Sequence, residues 1–158
     1  MINNVTKIHK NHCWYEDFNL DETFEFGHWV MTREDMLDFA NKYDPEPFHT
    51  DDDEAIRLGW NGIIASGLQI TCICRQMQNS GFPKLEVVIS PGWDNIRWFK
   101  PVYPGDILTC KATVIESKPL GSRPGEGLIK MDNQLYFENG EKVAQMVTNW
   151  FLRYKPSN

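Results

Sequence analysis

The sequence predicts an α+β protein in which a curved antiparallel sheet is wrapped around one central α-helix. Two observations predict this arrangement. Residues 61–81, NGIIASGLQITCICRQMQNSG, are apolar nearly all round in their middle, so a helix formed there is expected to be buried by other structure. From Leu85 onward the apolar residues recur with a period of two, which is typical of strands.

The length and composition favour one domain. The chain has 158 residues, which predicts a single domain over 1–158 with a core from about 20 to 155. With 41% hydrophobic and 13% aromatic residues it is too apolar for a disordered chain. No apolar run approaches the ~18 residues of a membrane span, and the start of the sequence does not resemble a secretory signal. We therefore expect a cytoplasmic protein with no membrane partner.

Charge and cysteine usage exclude further classes. The formal net charge is −6 and no Lys/Arg-rich run is present, so nucleic acid is not an expected partner. The four cysteines have neither zinc spacing nor the pattern of a disulfide framework. We expect no metal, and buried reduced thiols at Cys13, Cys72, Cys74 and Cys110.

The first elements have clear boundaries. Residues 23–26 alternate polar and aromatic like a short strand. A helix should follow Thr32, whose hydroxyl can cap it, with Asp35 favourable to the helix dipole. Its apolar stripe consists of Met36, Ala40 and Tyr43. The helix should end near Asp44, because a residue before proline disfavours helical geometry.

The later elements are a short helix and long strands. Three acidic residues begin a predicted helix from Asp51 to Leu58, and Gly59 can end it. Asn139–Gly140 between apolar segments predicts a hairpin. Two strand faces are predicted, one formed by Leu108, Cys110, Ala112 and Val114, the other by Ala144, Met146, Thr148, Trp150 and Leu152.

The segment YDPEPFH carries a candidate acid–base pair. Asp44 and His49 are five residues apart, and Pro45 and Pro47 stiffen the chain between them. An imidazole titrates near neutral pH, and a carboxylate can orient it or share a water with it. Spacing alone also allows a structural interpretation, in which Asp44 caps a turn and His49 is a satisfied polar residue.

Small residues precede the predicted central helix. Ala65, Ser66 and Gly67 lie where free backbone N–H groups meet the positive end of the helix dipole. A carbonyl oxygen that gains negative charge would be stabilised there, and Gly67 would permit a close approach. The structural alternative is a packing glycine after Ser66 as an ordinary helix cap.

Other polar and aromatic residues are weaker candidates. Arg97, Lys100 and Arg123 are suited to bind phosphate groups, although each is also typical of an ordinary surface cation. Trp60 lies near the Asp44 motif in sequence and is a candidate for lining an acyl pocket. Structural roles are expected for the helix-starting acids Asp51, Asp52 and Asp53, for the histidines His9, His12 and His28, and for the core or interface tryptophans Trp93, Trp98 and Trp150.

Four segments in order resemble the MaoC-like dehydratases, a family that includes R-specific enoyl-CoA hydratases. FANKYDPEPFHTDDDEA is similar to the family's hydratase motif, in which an aspartate is followed five residues later by a histidine. GIIASGLQ resembles the approach to the family's central helix. SPGWDNIRWFKPVYPGDIL and SRPGEGLI resemble later segments. The resemblance covers residues 24–154.

The resemblance implies a hot-dog fold and a hydratase or dehydratase site. It matches Asp44 and His49 to the catalytic residues, and Gly67 to the glycine whose N–H holds the thioester oxygen, with Ser66 beside it. It implies a homodimer or dimer of dimers that takes an acyl-CoA or acyl-carrier thioester. Coenzyme A enters only as part of the substrate, with no other cofactor. Glu46 departs from the family pattern, since many hydratases have asparagine there.

Two rival functions remain open at this point. A hot-dog thioesterase would direct water at the carbonyl carbon, and the spacing of Asp44 and His49 favours hydration over it. A non-catalytic acyl-thioester-binding subunit would keep the scaffold alone, and the presence of both residues argues against it.

Overall fold

Local capping groups set the helix ends in the first half of the chain. The structure, a computed structural model, describes residues 11–157. The α-helices are α1 Arg33–Tyr43, α2 Pro47–Thr50, α3 Asp52–Arg57 and α4 Gly67–Gly81. Thr32 caps α1 by accepting a hydrogen bond from the Asp35 N–H, and Asp51 caps α3 by accepting from the Glu54 N–H. The predicted helices α1 and α3 are confirmed, except that Tyr43 of the predicted α1 stripe is 59% exposed. The short α2 was not predicted, and it begins with Pro47 at a first-turn position, where proline is tolerated.

The sheet forms from the segments with period-two apolar residues. The strands are β1 His12–Cys13, β2 Thr23–Val30, β3 Lys84–Leu85, β4 Val87–Trp98, β5 Ile107–Pro119, β6 Glu126–Phe137 and β7 Lys142–Arg153. Five of them form one sheet in the order β2-β5-β6-β7-β4, and every neighbouring pair is antiparallel. The predicted hairpin at Asn139–Gly140 joins β6 to β7, and Gly140 takes a φ of 85° there. β1 and β3 form a separate parallel pair.

The core lies between α4 and the inner face of this sheet. Both predicted strand faces are fully buried, from Leu108 to Val114 on β5 and from Ala144 to Leu152 on β7. Burial of one such large apolar side chain stabilises the fold by about 1.5–3 kcal/mol. Helix α4 contributes Ile70, Ile73, Cys74 and Met77 to the same core. The predicted α+β architecture, a hot-dog sheet around a central helix, is confirmed.

Two details of the predicted core are wrong. Helix α4 is not covered all round, because Leu68 is 50% exposed. Cys72, on the same helix, is exposed, whereas Cys13, Cys74 and Cys110 are buried as expected. The sheet of one chain covers only one side of α4, so the opposite side faces outward.

No helix within residues 11–157 is both long enough and apolar enough to cross a membrane. The same residues contain no group of three or more histidine, cysteine or acidic side chains placed to hold a metal ion.

Candidate active site

Asp44 lies at the C-terminal end of α1, and two backbone hydrogen bonds fix its position. Its N–H donates to the Ala40 carbonyl at 2.9 Å, and its own carbonyl accepts from the Glu46 N–H at 2.8 Å. The side chain is 27% exposed, so solvent reaches the carboxylate. The position follows from the sequence, because Pro45 prevents α1 from continuing.

His49 lies on the short helix α2 and is almost fully buried. Its Nδ1 lies 2.7 Å from the carbonyl oxygen of Ile64. A carbonyl only accepts hydrogen bonds, so Nδ1 carries the proton in the neutral ring and Nε2 keeps its lone pair. The Ile64 N–H donates in turn to the Phe48 carbonyl at 3.1 Å, which fastens the chain around residue 64 to α2. The imidazole therefore has a fixed orientation.

Asp44 and His49 face one another across a short gap. His49 Nε2 lies 3.5 Å from Asp44 Oδ2. Both atoms are acceptors when the ring is neutral, so they do not bond to each other directly. One water can donate a hydrogen bond to each of them. The pair that the motif predicted is thus in contact, in a geometry suited to hold a water.

The N-terminus of α4 meets this pair through Ser66. The Ser66 hydroxyl donates to Asp44 Oδ2 at 2.6 Å and accepts from the Leu68 N–H at 3.1 Å. Ser66 is therefore both the helix cap and a support for the carboxylate. Its single proton is already bonded to Asp44, so in this geometry it is not available to a thioester oxygen.

Gly67 is the first residue of α4, and its Cα is covered by Trp98. A Cβ at position 67 would lie 2.6 Å from Trp98 Cε2, closer than real atoms approach. The N–H groups of Ala65 and Leu68 are bonded, to the Val102 carbonyl and to Ser66, whereas the Gly67 N–H has no acceptor within residues 11–157. Glycine is thus required at 67 by the indole, and its amide is free to meet a developing negative charge.

The acidic residues after the motif have structural roles. Asp52 binds Arg33 through two hydrogen bonds, of 2.8 and 3.2 Å, and accepts from the Ile63 N–H at 2.9 Å. The Arg33 guanidinium, followed by the Ile63 N–H, lowers the pKa of the Asp52 carboxyl. This contact ties α3 to α1 and to the segment before α4. Glu46 is exposed and does not cap α2 with its side chain.

Two of the three candidate phosphate ligands, Lys100 and Arg123, lie far apart. Lys100 pairs with Glu141 at the β6–β7 turn, whereas Arg123 pairs with Glu126 in the β5–β6 turn. These turns are at opposite ends of β6, which is about 35 Å long for its 12 residues. The guanidinium of Arg97 donates to the carbonyl of Ile96. Lys100 and Arg123 are therefore far apart within one chain, and phosphate binding by Arg97, Lys100 or Arg123 stays a prediction.

The remaining aromatic residues separate into core and surface. Trp150 is fully buried and Trp93 packs against the core, while Trp98 is 46% exposed and Trp60 is 37% exposed. His12 pairs with Glu86 and His28 is exposed, as expected for structural histidines. His9 lies outside the described residues. The role of Trp60 in an acyl pocket stays a prediction.

Sequence reasoning missed two features of the site. The carbonyl of Ile64 selects the tautomer of His49, and no sequence signal identifies a backbone acceptor. Trp98 covers Gly67 from the end of β4, whereas the sequence predicted only a core or interface position for it. Trp98 lies within the segment SPGWDNIRWFKPVYPGDIL, but the sequence does not indicate that it contacts Gly67.

Fold and site together define a hot-dog protein with an Asp–His pair at the N-terminus of its central helix. A sequence model of the MaoC-like domain matches residues 17–131, and the chain belongs to this family. The uncharacterised protein YdeM of Bacillus subtilis is 29% identical over 105 residues, which are 66% of this chain and 74% of YdeM.

Solved structures of similar proteins show the same fold. A MaoC-like dehydratase from Rhodospirillum rubrum superposes with a TM-score of 0.82 at 24% identity, over 92% of this chain and 99% of that one. An R-hydratase from Pseudomonas aeruginosa gives a TM-score of 0.71 at 19% identity, over 92% of both chains.

Proposed function

We propose that this protein adds water to an enoyl thioester, or removes it from a 3-hydroxyacyl thioester, with Asp44 and His49 as its acid–base pair. The observation that carries the proposal is the 3.5 Å separation of His49 Nε2 and Asp44 Oδ2 beside the N-terminus of α4. Membership of the MaoC-like family supports it, since hydratases belong to this family.

The proposed mechanism begins with a water bound by the two acceptors. His49 Nε2 accepts one proton of the water while the carboxylate of Asp44 holds the other. The water oxygen forms a bond to C3 of the enoyl group, and the C2–C3 π electrons move toward the thioester carbonyl. C2 then takes a proton from the acid–base pair, which completes the 3-hydroxyacyl product. Dehydration is the reverse, and neither direction needs a cofactor other than the carrier of the substrate.

The negative charge on the thioester oxygen needs a donor, and the free N–H of Gly67 supplies it in this proposal. The dipole of the 15-residue helix α4 adds partial positive charge at the same place. Removal of one such donor costs about 2.7–4 kcal/mol in acyl-transfer sites. Ser66 acts through Asp44 and is a positioning residue.

Ser66→Ala is expected to reduce both stability and turnover. Loss of the cap should cost about 1 kcal/mol of unfolding free energy. Turnover should fall as well, because Asp44 Oδ2 loses its 2.6 Å donor. Thr32→Ala is the matched control, because Thr32 also caps a helix and donates to a carboxylate, that of Asp35. Equal loss of stability with unchanged kcat in both variants would exclude the positioning role.

We further propose that the protein is a homodimer paired through β4. This strand is 12 residues long, bonds to β7 on one side only, and exposes 50% of Ile89. An open edge with apolar side chains is the kind of surface that strand pairing covers. The dimer would also cover the outward side of α4 near Leu68.

Sedimentation at micromolar concentration tests the dimer. The native chain should sediment as a dimer or larger, and Ile89→Lys should shift it toward monomer. Val30→Lys is the control, since Val30 is equally exposed but lies on the other edge strand, β2. Monomer alone in the native protein, or equal dissociation by both variants, would contradict pairing through β4.

Loss of the enoyl double bond, followed by absorbance, tests the activity. The substrates are trans-2-enoyl thioesters of increasing chain length, each on coenzyme A and on an acyl carrier protein. Decay of the signal without free thiol is the expected result. Release of thiol would establish the thioesterase instead, and no reaction with any substrate would favour a binding subunit.

A further inference from the structure

A cavity lies at the C-terminal end of α4. Its volume is about 250 Å³, which is smaller than the pockets that typically bind drug-sized ligands. It is lined by the polar residues Arg75, Asn79 and Lys84 and by the apolar residues Phe82, Leu85 and Val87. Arg75 follows Gly67 by eight residues, which is about 12 Å along the helix axis. The cavity is therefore separate from the contacts made by Asp44 and His49.

Arg75 is a half-buried cation, and no acidic side chain within residues 11–157 forms an ion pair with it. Its Nη1 is closed off from solvent and has no hydrogen-bond acceptor within residues 11–157. The guanidinium lies over the ring of Trp150, 5.0 Å from its centre, and the indole Nε1 also lacks an acceptor there. The first ten residues of the sequence, MINNVTKIHK, contain no aspartate or glutamate.

Partial burial of the guanidinium favours the binding of an anion beside it. Desolvation lowers the pKa of Arg75, but a guanidinium stays protonated in proteins. A half-buried guanidinium loses part of its hydration, and a bound anion would offset that loss. Lys84 already has a counter-charge, because its Nζ lies 3.0 Å from Glu86 Oε1.

We propose that this cavity binds a short aliphatic carboxylate. The carboxylate would pair with the guanidinium of Arg75, with the Asn79 amide within the same cavity wall as a second donor. The alkyl chain would lie against Phe82, Leu85 and Val87. These apolar walls favour an aliphatic acid over phosphate, which has no apolar part to bury. The site is independent of the proposed hydration activity.

Calorimetric titration of the full chain tests the site. Butanoate and hexanoate should bind at millimolar concentrations, and butanamide, which has the same size and no charge, should bind at least about tenfold more weakly. Arg75→Met should lower carboxylate affinity by about tenfold or more, which is about 1.4 kcal/mol. Lys118→Met removes an exposed cation elsewhere and should leave the affinity unchanged.

A second variant tests the site independently, in case Arg75→Met does not fold. Asn79 is exposed on α4, so Asn79→Phe can fill the cavity without disturbing the core, and it should abolish binding while Arg75 remains. Four results would overturn the proposal: no binding of either acid, equal binding of the amide, equal binding of inorganic phosphate, or retained affinity in folded Arg75→Met or Asn79→Phe.

Discussion

His49→Ala is expected to lower kcat for enoyl thioester hydration by about 10²–10⁴-fold, the usual contribution of a positioned acid–base group. Asp44→Asn should cause a loss in the same range, because an amide in place of the carboxylate cannot accept from the water in the same way. Both values come from the same absorbance assay. The double variant should be no slower than the slower single variant, because the two residues act on one water.

The control for this prediction is another histidine. His28→Asn changes an exposed histidine on β2, where the positive φ of 42° is tolerated by asparagine. Its kcat should equal that of the native protein. Because His49 is buried, thermal unfolding of His49→Ala must show a folded protein before its rate is interpreted. Independent, multiplying losses in the double variant would argue against a shared water.

Gly67→Ala is the second change with a large expected effect. The new Cβ would lie 2.6 Å from the indole of Trp98, so either the indole or the start of α4 must move. Overpacking of this kind typically costs about 1–3 kcal/mol of stability. Displacement of the free amide at 67 should also lower kcat, by about 10²–10³-fold for an oxyanion donor. Unfolding temperature and kcat are measured together.

Removal of the Trp98 indole tests whether its contact with the new Cβ causes the loss of stability in Gly67→Ala. In Gly67→Ala/Trp98→Ala the ring is absent, so the stability lost by Gly67→Ala alone should be recovered. Gly121→Ala is the control, because a Cβ there meets nothing within 4 Å. If Gly67→Ala is as stable and active as Gly121→Ala, then neither the contact with Trp98 nor the position of the amide matters.

Most of the scaffold was predictable because it depends on local signals. The Thr32 cap and the proline after Asp44 defined α1, and the period-two burial of Leu108 to Val114 defined the inner face of β5. The exposure of Leu68 was not predictable in this way. A hydrophobic residue on a helix gives the same sequence signal whether the sheet of its own chain or a partner covers it.

The chemistry of the site was predictable only in part, because its contacts are not local. The motif identified Asp44 and His49 as a pair, and the structure brings them together. The contacts that hold them come from 22 residues away for Ser66 and 15 residues away for the carbonyl of Ile64. Backbone acceptors have no side-chain signature, so the tautomer of His49 could not be inferred from spacing.

The roles of Asp44 and His49 in hydration are tested most directly by following heavy oxygen from labelled water into product by mass spectrometry. With an enoyl thioester as substrate, we expect one labelled oxygen on C3 of an intact 3-hydroxyacyl thioester, and none with the Asp44→Asn/His49→Ala protein. Label in a free carboxylate instead, or the same labelled product from the double variant, would contradict the role assigned to Asp44 and His49.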